Sequence, residues 1–153
     1  MTAYDLAQRF VGEIHELPGA AQAPFIQWCF ECCGYGPDTP DEVPWCGVFA
    51  SRIAWLLRLP RSKSAAARSW LTVGLPVEPP DAEVGFDVVV LKRGGIQPGV
   101  DVLDAPGHVG FFAGFSANND TIYVLGGNQS NGVTVAPYPL NKVLGIRRLG
   151  PPV

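Results

Sequence analysis

Cys46 occupies a position at which a cysteine can become a reactive nucleophile. It follows Pro44 and Trp45 and precedes apolar residues at helical spacing, which predicts a helix over about residues 45–58. A thiol in the first turn of a helix lies near unpaired backbone N–H groups and the positive end of the helix dipole, which lower the pKa of the thiol. A buried cysteine that only fills space is commoner, so the position alone does not establish catalysis.

His108 and Asn128 are the residues that would complete a site with this thiol. The apolar segments on either side of residues 116–120 predict a β-hairpin, and a regular register places His108 directly opposite Asn128. Opposed side chains share a face of the sheet with Cβ atoms about 4.5–5.5 Å apart, so the Asn128 amide would hold the imidazole. A bulge at Gly126-Gly127 would change this register.

Cysteine, histidine and asparagine, in that order and far apart in the chain, match the logic of papain-like catalysis. The Cys46 thiolate would attack a carbonyl, and the His108 imidazolium would keep the thiol ionised and later protonate the leaving amine. Asn128 would fix the tautomer and orientation of the ring. The oxyanion would be held by backbone N–H groups at the start of the nucleophile helix, that of Cys46 among them.

The chain resembles the compact phage-encoded peptidoglycan hydrolases of the NlpC/P60 and CHAP type, within the papain-like superfamily. The resemblance extends over nearly the whole chain from the second helix onward, and it implies Cys46 as nucleophile, His108 as base and Asn128 as third member. It rests on these blocks: Val43-Pro44-Trp45-Cys46, Ala66-Ala67-Arg68-Ser69-Trp70-Leu71, Phe86-Asp87-Val88-Val89-Val90, Gly107-His108-Val109-Gly110-Phe111-Phe112, Val124-Leu125-Gly126-Gly127-Asn128-Gln129-Ser130, Val135-Ala136-Pro137-Tyr138 and Leu144-Gly145-Ile146-Arg147-Arg148.

Two features depart from the family pattern. The first strand usually begins Gly-Asp in this family, whereas Gly85-Phe86-Asp87 carries an inserted phenylalanine, and CHAP members often use a glutamate as third residue, which draws attention to Asp41-Glu42. Trp45, Trp70 and Gln129 are expected to line the substrate cleft. Large aromatic residues beside a helix are more often part of the core, which is the alternative for the two tryptophans.

The periodicity predicts a single α+β domain over residues 1–153, in which N-terminal helices pack on an antiparallel sheet and the nucleophile begins a helix. The resemblance implies that this domain has a papain-like NlpC/P60–CHAP fold. Residues 1–74 form a mostly helical half and residues 82–149 a β-sheet half, joined by a Pro-rich connector. Helices are predicted at 4–17, 24–33, 45–58 and 64–71, and strands at 86–91, 108–115, 121–125, 132–137 and 143–148.

The charge pattern argues against several partners. A net charge of −3 without a basic run disfavours nucleic acid and anionic membranes, and no apolar run approaches the ~18 residues of a membrane span. The N-terminus lacks the apolar segment of a signal peptide, so we expect synthesis in the cytoplasm and action on the cell wall after release or delivery. The expected partner is bacterial peptidoglycan, and we expect a monomer.

The sequence predicts no cofactor and no metal. Cys29, Cys32 and Cys33 share one helix face but lack the further ligands that a zinc site needs, so a packed, reduced cluster is the better interpretation. Asp101 and Asp104 are too few, and wrongly spaced, for calcium.

Several functions remain open on sequence grounds. The chain would be an endolysin released at the end of phage infection, or a peptidoglycan-degrading effector or virion-associated lysin with the same chemistry. A non-catalytic wall-binding module is the alternative of a different class, and a metal-binding cysteine cluster is the remaining non-enzymatic option. The scissile bond is also open, because an N-acetylmuramoyl-L-alanine amidase and a stem-peptide endopeptidase use the same three residues.

Overall fold

The computed structural model describes residues 1–17, 23–39, 43–93 and 106–150. Within these residues the α-helices are α1 (Ala3–Gln8), α2 (Pro24–Glu31) and α3 (Cys46–Leu56). The strands are β1 (Leu75–Val77), β2 (Asp87–Lys92), β3 (Gly107–Phe115), β4 (Thr121–Gln129), β5 (Gly132–Pro139) and β6 (Val143–Arg148). Short 3₁₀ helices cover Ala67–Thr72, Pro79–Asp81 and Leu140–Lys142.

The strands form one sheet in the order β1-β6-β2-β3-β4-β5, and every neighbouring pair is antiparallel. Helices precede the sheet in the chain and pack on it, with α3 against β3 and β4. This confirms the predicted α+β class. Among the described residues, no helix has the length and apolar character needed to cross a membrane.

Strand β2 is a continuous apolar run because both of its faces are buried. Val88 and Val90 face the helices and belong to the main core, whereas Val89 and Leu91 pack into a second apolar cluster on the opposite face of the sheet. A strand that is buried on both faces needs apolar residues at successive positions, not alternate ones. The central strands are therefore held from both sides, which gives the site a rigid floor.

The predicted first helix is wrong beyond Gln8. The chain turns at Gly12, which has a φ of 78°, and its N–H donates to the carbonyl of Val133 at 3.1 Å. Further on, the N–H of Glu16 donates to the carbonyl of Asn131 at 2.8 Å. The backbone at 12–16 thus satisfies its hydrogen bonds against β5 and the turn before it, although its apolar side chains still pack on the core.

The segment between the helical half and the central sheet is also more structured than predicted. The helix expected over residues 64–71 is the 3₁₀ helix Ala67–Thr72, and the Pro-rich connector contains the edge strand β1. β1 pairs with β6, where Pro76 lies opposite Arg147. A proline is tolerated there because an edge strand has one side without ladder bonds.

Candidate active site

Cys46 is the first residue of α3, as the sequence predicts. No side chain among the described residues caps this helix, so the N–H groups of its first turn remain directed past the thiol. Cys46 is 1% exposed and lies at the base of a surface groove. The thiol is therefore a sheltered group that borders this groove.

His108 stands on β3 beside this thiol. It pairs with Leu91 of β2 and is 3% exposed, so the backbone that carries it belongs to the centre of the sheet. Its Nε2 lies 2.7 Å from Oε1 of Gln129, the last residue of β4. The structure thus brings together two of the predicted site residues in direct contact, although Gln129 was expected as a substrate contact.

The surroundings of Gln129 fix the direction of this hydrogen bond. Its Nε2 donates to the carbonyls of Val124 (3.2 Å) and Thr134 (2.7 Å) and to the Thr134 hydroxyl (3.1 Å), so the other amide atom is the oxygen. An amide oxygen only accepts, and His108 must therefore donate from Nε2. The neutral imidazole is held in the Nε2–H tautomer, which leaves Nδ1 with its lone pair free for the thiol.

The prediction that Asn128 holds the imidazole is wrong. Asn128 has a φ of 59°, and the register of β4 against β5 shifts between Gly126 and Gln129. This bulge turns the Asn128 side chain away from His108 and brings that of Gln129 to it. The Asn128 amide fits its neighbours when its nitrogen donates to Glu16 Oε1 (2.9 Å) and its oxygen accepts from Arg93 Nη2 (3.2 Å).

The hairpin itself is partly as predicted. Phe111 pairs with Leu125 and Phe112 with Val124, which is the expected register. A further bulge after Phe112 shifts the pairing near the turn by one residue. Phe115 therefore lies opposite Ile122, not opposite Thr121 as the regular register predicts. The error in the site assignment therefore comes from the bulge at the other end of β4.

The pKa of the Cys46 thiol is lowered from its ordinary value. Burial raises this pKa, but the adjacent His108 imidazole, ahead of the backbone of Val109 and the charge of Arg93, lowers it, and together they outweigh burial. Nδ1 of His108 is buried and has no hydrogen-bond partner within the part of the chain that the structure describes. The adjacent thiol is the group that can supply that partner, which makes Cys46 and His108 a proton-sharing pair.

Tyr138 on β5 belongs to the same site and is absent from the sequence-based prediction. Its hydroxyl donates to Gln129 Oε1 at 2.9 Å, and its ring lies 5.4 Å from the imidazole, centroid to centroid. Burial, followed by the nearby charge of Cys46, raises the pKa of Tyr138 to about 12, so the hydroxyl remains a donor at neutral pH. Strand pairing alone gives no signal for this role, because the register of β4 with β5 places Tyr138 opposite Ile122, seven residues before Gln129.

The expectation that Trp45 and Trp70 line the cleft is wrong, because both are 0% exposed. The Trp45 ring packs edge-on against Phe49 of α3, and its Nε1 donates to Glu16 Oε1 at 2.6 Å. Trp70 lies in the main core. These two rings hold the helix and the sheet together and are shielded from any substrate.

Three glycines permit the close packing behind the site. A Cβ at Gly127 would lie 2.5 Å from Cζ3 of Trp45, and one at Gly126 would lie 3.1 Å from Gln129 Oε1 and 3.3 Å from His108 Nε2. At Gly107, a Cβ would lie 2.9 Å from Cγ of Arg68. The Gly-His and Gly-Gly-Asn-Gln blocks thus combine the functional side chains with the space that lets them approach.

Arg68 braces the entry to β3. Its side chain is 0% exposed, and its Nε donates to the carbonyl of Pro106 at 3.1 Å, two residues before His108. This contact fixes the backbone that leads into the histidine. The Ala-Ala-Arg-Ser-Trp-Leu block therefore supports the site indirectly, because its arginine fixes the backbone that leads into His108.

The groove above Cys46 has a volume of about 390 Å³. Arg93 is the charged residue on its wall among the described residues. The remaining lining is small and apolar: Val43, Pro44, Ala65, Ala66, Ala67, Pro106 and Gly107. Larger grooves at β1 and β6 do not include the thiol, and no described residue that lines them is a cysteine.

Several expectations concern metals or outlying carboxylates. The described residues contain no group of three or more histidine, cysteine, aspartate or glutamate side chains placed to hold a metal ion. Cys29, Cys32 and Cys33 are free thiols, with the last two 3.8 Å apart at sulfur. Asp41-Glu42 and the pair Asp101 and Asp104 lie outside the described residues.

No family model matches the chain, and no curated protein matches it significantly.

Proposed function

We propose that this chain is a cysteine hydrolase that cleaves an amide bond of bacterial peptidoglycan, with a papain-like fold of the NlpC/P60–CHAP type. The observation that carries the proposal is the imidazole of His108, which is held by Gln129 on one side and perturbs the Cys46 thiol on the other. A helix that begins at the thiol and a sheet that carries the histidine support the papain-like assignment.

In the first half of the reaction, His108 Nδ1 takes the thiol proton and the Cys46 thiolate attacks the amide carbonyl. The carbonyl π electrons move to oxygen, and this oxyanion is stabilised by backbone N–H groups of the first turn of α3, that of Cys46 included. The tetrahedral intermediate collapses when the C–N bond breaks. The imidazolium returns its proton to the departing nitrogen, which leaves as an amine, and an acyl-enzyme thioester remains.

In the second half, a water molecule enters the groove and His108 Nδ1 removes one of its protons. The hydroxide attacks the thioester, the C–S bond breaks, and the proton returns to sulfur. The products are a carboxylic acid and the regenerated thiol, so the sum is the hydrolysis of one amide bond. Gln129 and Tyr138 stay neutral throughout and keep the imidazole in one orientation.

The assignment to peptidoglycan rests on the resemblance of the sequence blocks to phage-type wall hydrolases. The groove supports it in one respect, because its walls of alanine, proline and glycine leave room for a slender chain to lie across the thiol. An endolysin is the form of the activity that we propose, and an effector or a virion-associated lysin is the same chemistry in another setting.

Digestion of purified sacculi tests this proposal. We expect the wild-type protein to release soluble fragments, and mass spectrometry of new termini will distinguish an amidase, which frees the lactyl group from L-alanine, from an endopeptidase, which cuts within the stem peptide. Cys46→Ala should bind sacculi but release nothing. Binding without release by the wild-type protein would contradict the proposal and favour a wall-binding module.

A further inference from the structure

We propose that Arg93 is a specificity-determining residue that binds a carboxylate of the substrate in the groove beside Cys46. That this carboxylate belongs to a substrate rests on the hydrolase function proposed above. That an anion binds here rests on the groove itself.

The first observation is where Arg93 stands. It follows β2 directly and lines the same groove as Cys46, with its side chain half-buried. Its charge is close enough to act on both the Cys46 thiol and the Tyr138 hydroxyl. A guanidinium at this distance from the reacting atom can contact a group that lies next to the scissile bond.

The second observation is what Arg93 is bonded to. With the Asn128 amide oriented to suit its neighbours, Arg93 Nη2 donates to the amide oxygen and the amide nitrogen donates to Glu16 Oε1. Glu16 also accepts from Trp45, so its carboxylate is used inside the protein. Arg93 is thus oriented by a neutral amide, and among the described residues no carboxylate forms an ion pair with it.

The third observation is the character of the groove around it. The other described lining residues are apolar or present backbone, and the open end of α3 adds the positive end of a helix dipole at the same place. An oriented guanidinium that no described carboxylate neutralises, set in an apolar wall, is suited to a planar anion, because carboxylates accept two parallel hydrogen bonds from arginine. The expected ligand is an acidic peptide with a free carboxylate close to the cleaved amide.

Alkylation of Cys46 measures this preference without any assumption about the substrate. Iodoacetate carries a carboxylate and iodoacetamide its neutral isostere, so the ratio of their second-order rate constants at Cys46 reports anion binding at the groove. All variants would carry Cys33→Ser to remove a second reactive thiol. We expect Arg93→Gln to lower the ratio by about tenfold, the size typical of one lost charge-assisted interaction. Arg93→Lys should retain part of it.

Lys92→Gln is the matched control, because it removes the same charge from the adjacent, exposed residue that does not line the groove. An unchanged ratio in Arg93→Gln, or an equal fall in Lys92→Gln, would overturn the proposal.

A pair of stem peptides that differ only in a free carboxylate or its carboxamide next to the cleaved bond then links the groove to turnover. We expect wild-type kcat/KM to favour the carboxylate, and Arg93→Gln to lose that preference. Cleavage of both peptides at equal rates would overturn this inference and leave the hydrolase intact. No cleavage of either, with an Arg93-dependent alkylation ratio, would overturn the peptidoglycan proposal and leave the anion site intact.

Discussion

At the scale of single residues, the site depends on which nitrogen of His108 is occupied. Gln129 uses its nitrogen on Val124 and Thr134 and offers only its oxygen to the ring, so the histidine cannot adopt the tautomer that would turn a proton towards the thiol. A neutral amide also adds no charge, so it leaves the pairing of thiolate and imidazolium undisturbed. The orientation of one amide thus decides whether Cys46 faces a base.

Loss of the orienting amide should affect the chemical step. We expect Gln129→Ala to lower kcat on a soluble muropeptide by about 10²-fold, the order that misplacement of a catalytic group by about 1 Å produces. Asn128→Ala, the neighbouring control, should leave kcat within a few-fold because its amide contacts Glu16 and Arg93 instead of the imidazole, and its loss should act on KM through Arg93. The reverse order of effects would contradict the assignment of Gln129. Gln129→Ala and His108→Ala should be non-additive, because an orienter has nothing to orient once the ring is gone.

The lowered pKa of Cys46 predicts its pH dependence. The thiolate is the reactive form, so a lower pKa shifts the rise in alkylation rate to lower pH than for an ordinary thiol. His108→Ala removes the largest contribution that lowers this pKa and should move the rise back to higher pH. Rates of iodoacetamide labelling at Cys46, followed by mass spectrometry between pH 4 and about 10, measure both profiles. Coincident profiles would show that the imidazole does not act on the thiol.

This measurement needs a background without Cys33. The neighbouring Cys32 thiol, helped by Ser51 and by the charges of Arg61 and Arg52, lowers the pKa of Cys33 to about 6. Cys33 is half-buried and should also label in acid. In Cys33→Ser, burial keeps Cys29 protonated and also raises the pKa of Cys32, so Cys46 is the thiol that we expect to label at low pH.

At the scale of secondary-structure elements, α3 and the β3–β4 pair were predictable and the bulge was not. The helix start follows from Pro44 and the apolar spacing, and β3 follows from its apolar run. The register at Asn128 depends on whether Gly126-Gly127 keeps regular strand pairing. A Gly-Gly sequence is locally compatible with both a regular strand and a bulge. What decides is Trp45, whose ring occupies the space that a residue other than glycine would fill at Gly127.

Substitutions at Gly126 and Gly127 should therefore affect stability and activity to different degrees. Gly127→Ala places a Cβ in the Trp45 ring and should lower the free energy of unfolding by about 1–3 kcal/mol, as overpacking does. Gly126→Ala presses on Gln129 and His108 and should reduce kcat with a smaller loss of stability. Gly36→Ala, where no described atom lies within 4 Å of the added Cβ, is the control. Denaturant unfolding and muropeptide turnover measure both quantities, and equal profiles for the two variants would contradict the account.

At the scale of the whole molecule, the sheet forms a frame that holds the site from several distant segments. Asp87 at the start of β2 is 1% exposed and forms a bidentate ion pair with Arg148 at the end of β6, with both distances 2.8 Å. It also accepts the N–H of Glu83. Asp87, which follows the inserted phenylalanine, therefore has a structural role. A comparison of sequence blocks could not reveal this role, because the partner Arg148 lies at the far end of the chain.

The molecule as a whole should work without a metal ion. Each proton transfer in the proposed reaction is made by His108, and the described residues offer no cluster of metal ligands. We expect turnover of a muropeptide to persist in EDTA and to stop after treatment with iodoacetamide. A loss of activity in EDTA that calcium or zinc restores would show that the chemistry is assigned to the wrong groups.

The central claim is that Cys46, activated by His108, is the nucleophile of an amide hydrolase. Its most direct test is kcat on a soluble muropeptide for wild-type, Cys46→Ala and Cys33→Ala proteins whose folding has been checked by circular dichroism. We predict measurable turnover for the wild-type protein, turnover within a few-fold of it for Cys33→Ala, and none for Cys46→Ala, because no other described side chain at the base of the groove can attack a carbonyl. Near-normal turnover in folded Cys46→Ala would contradict the account.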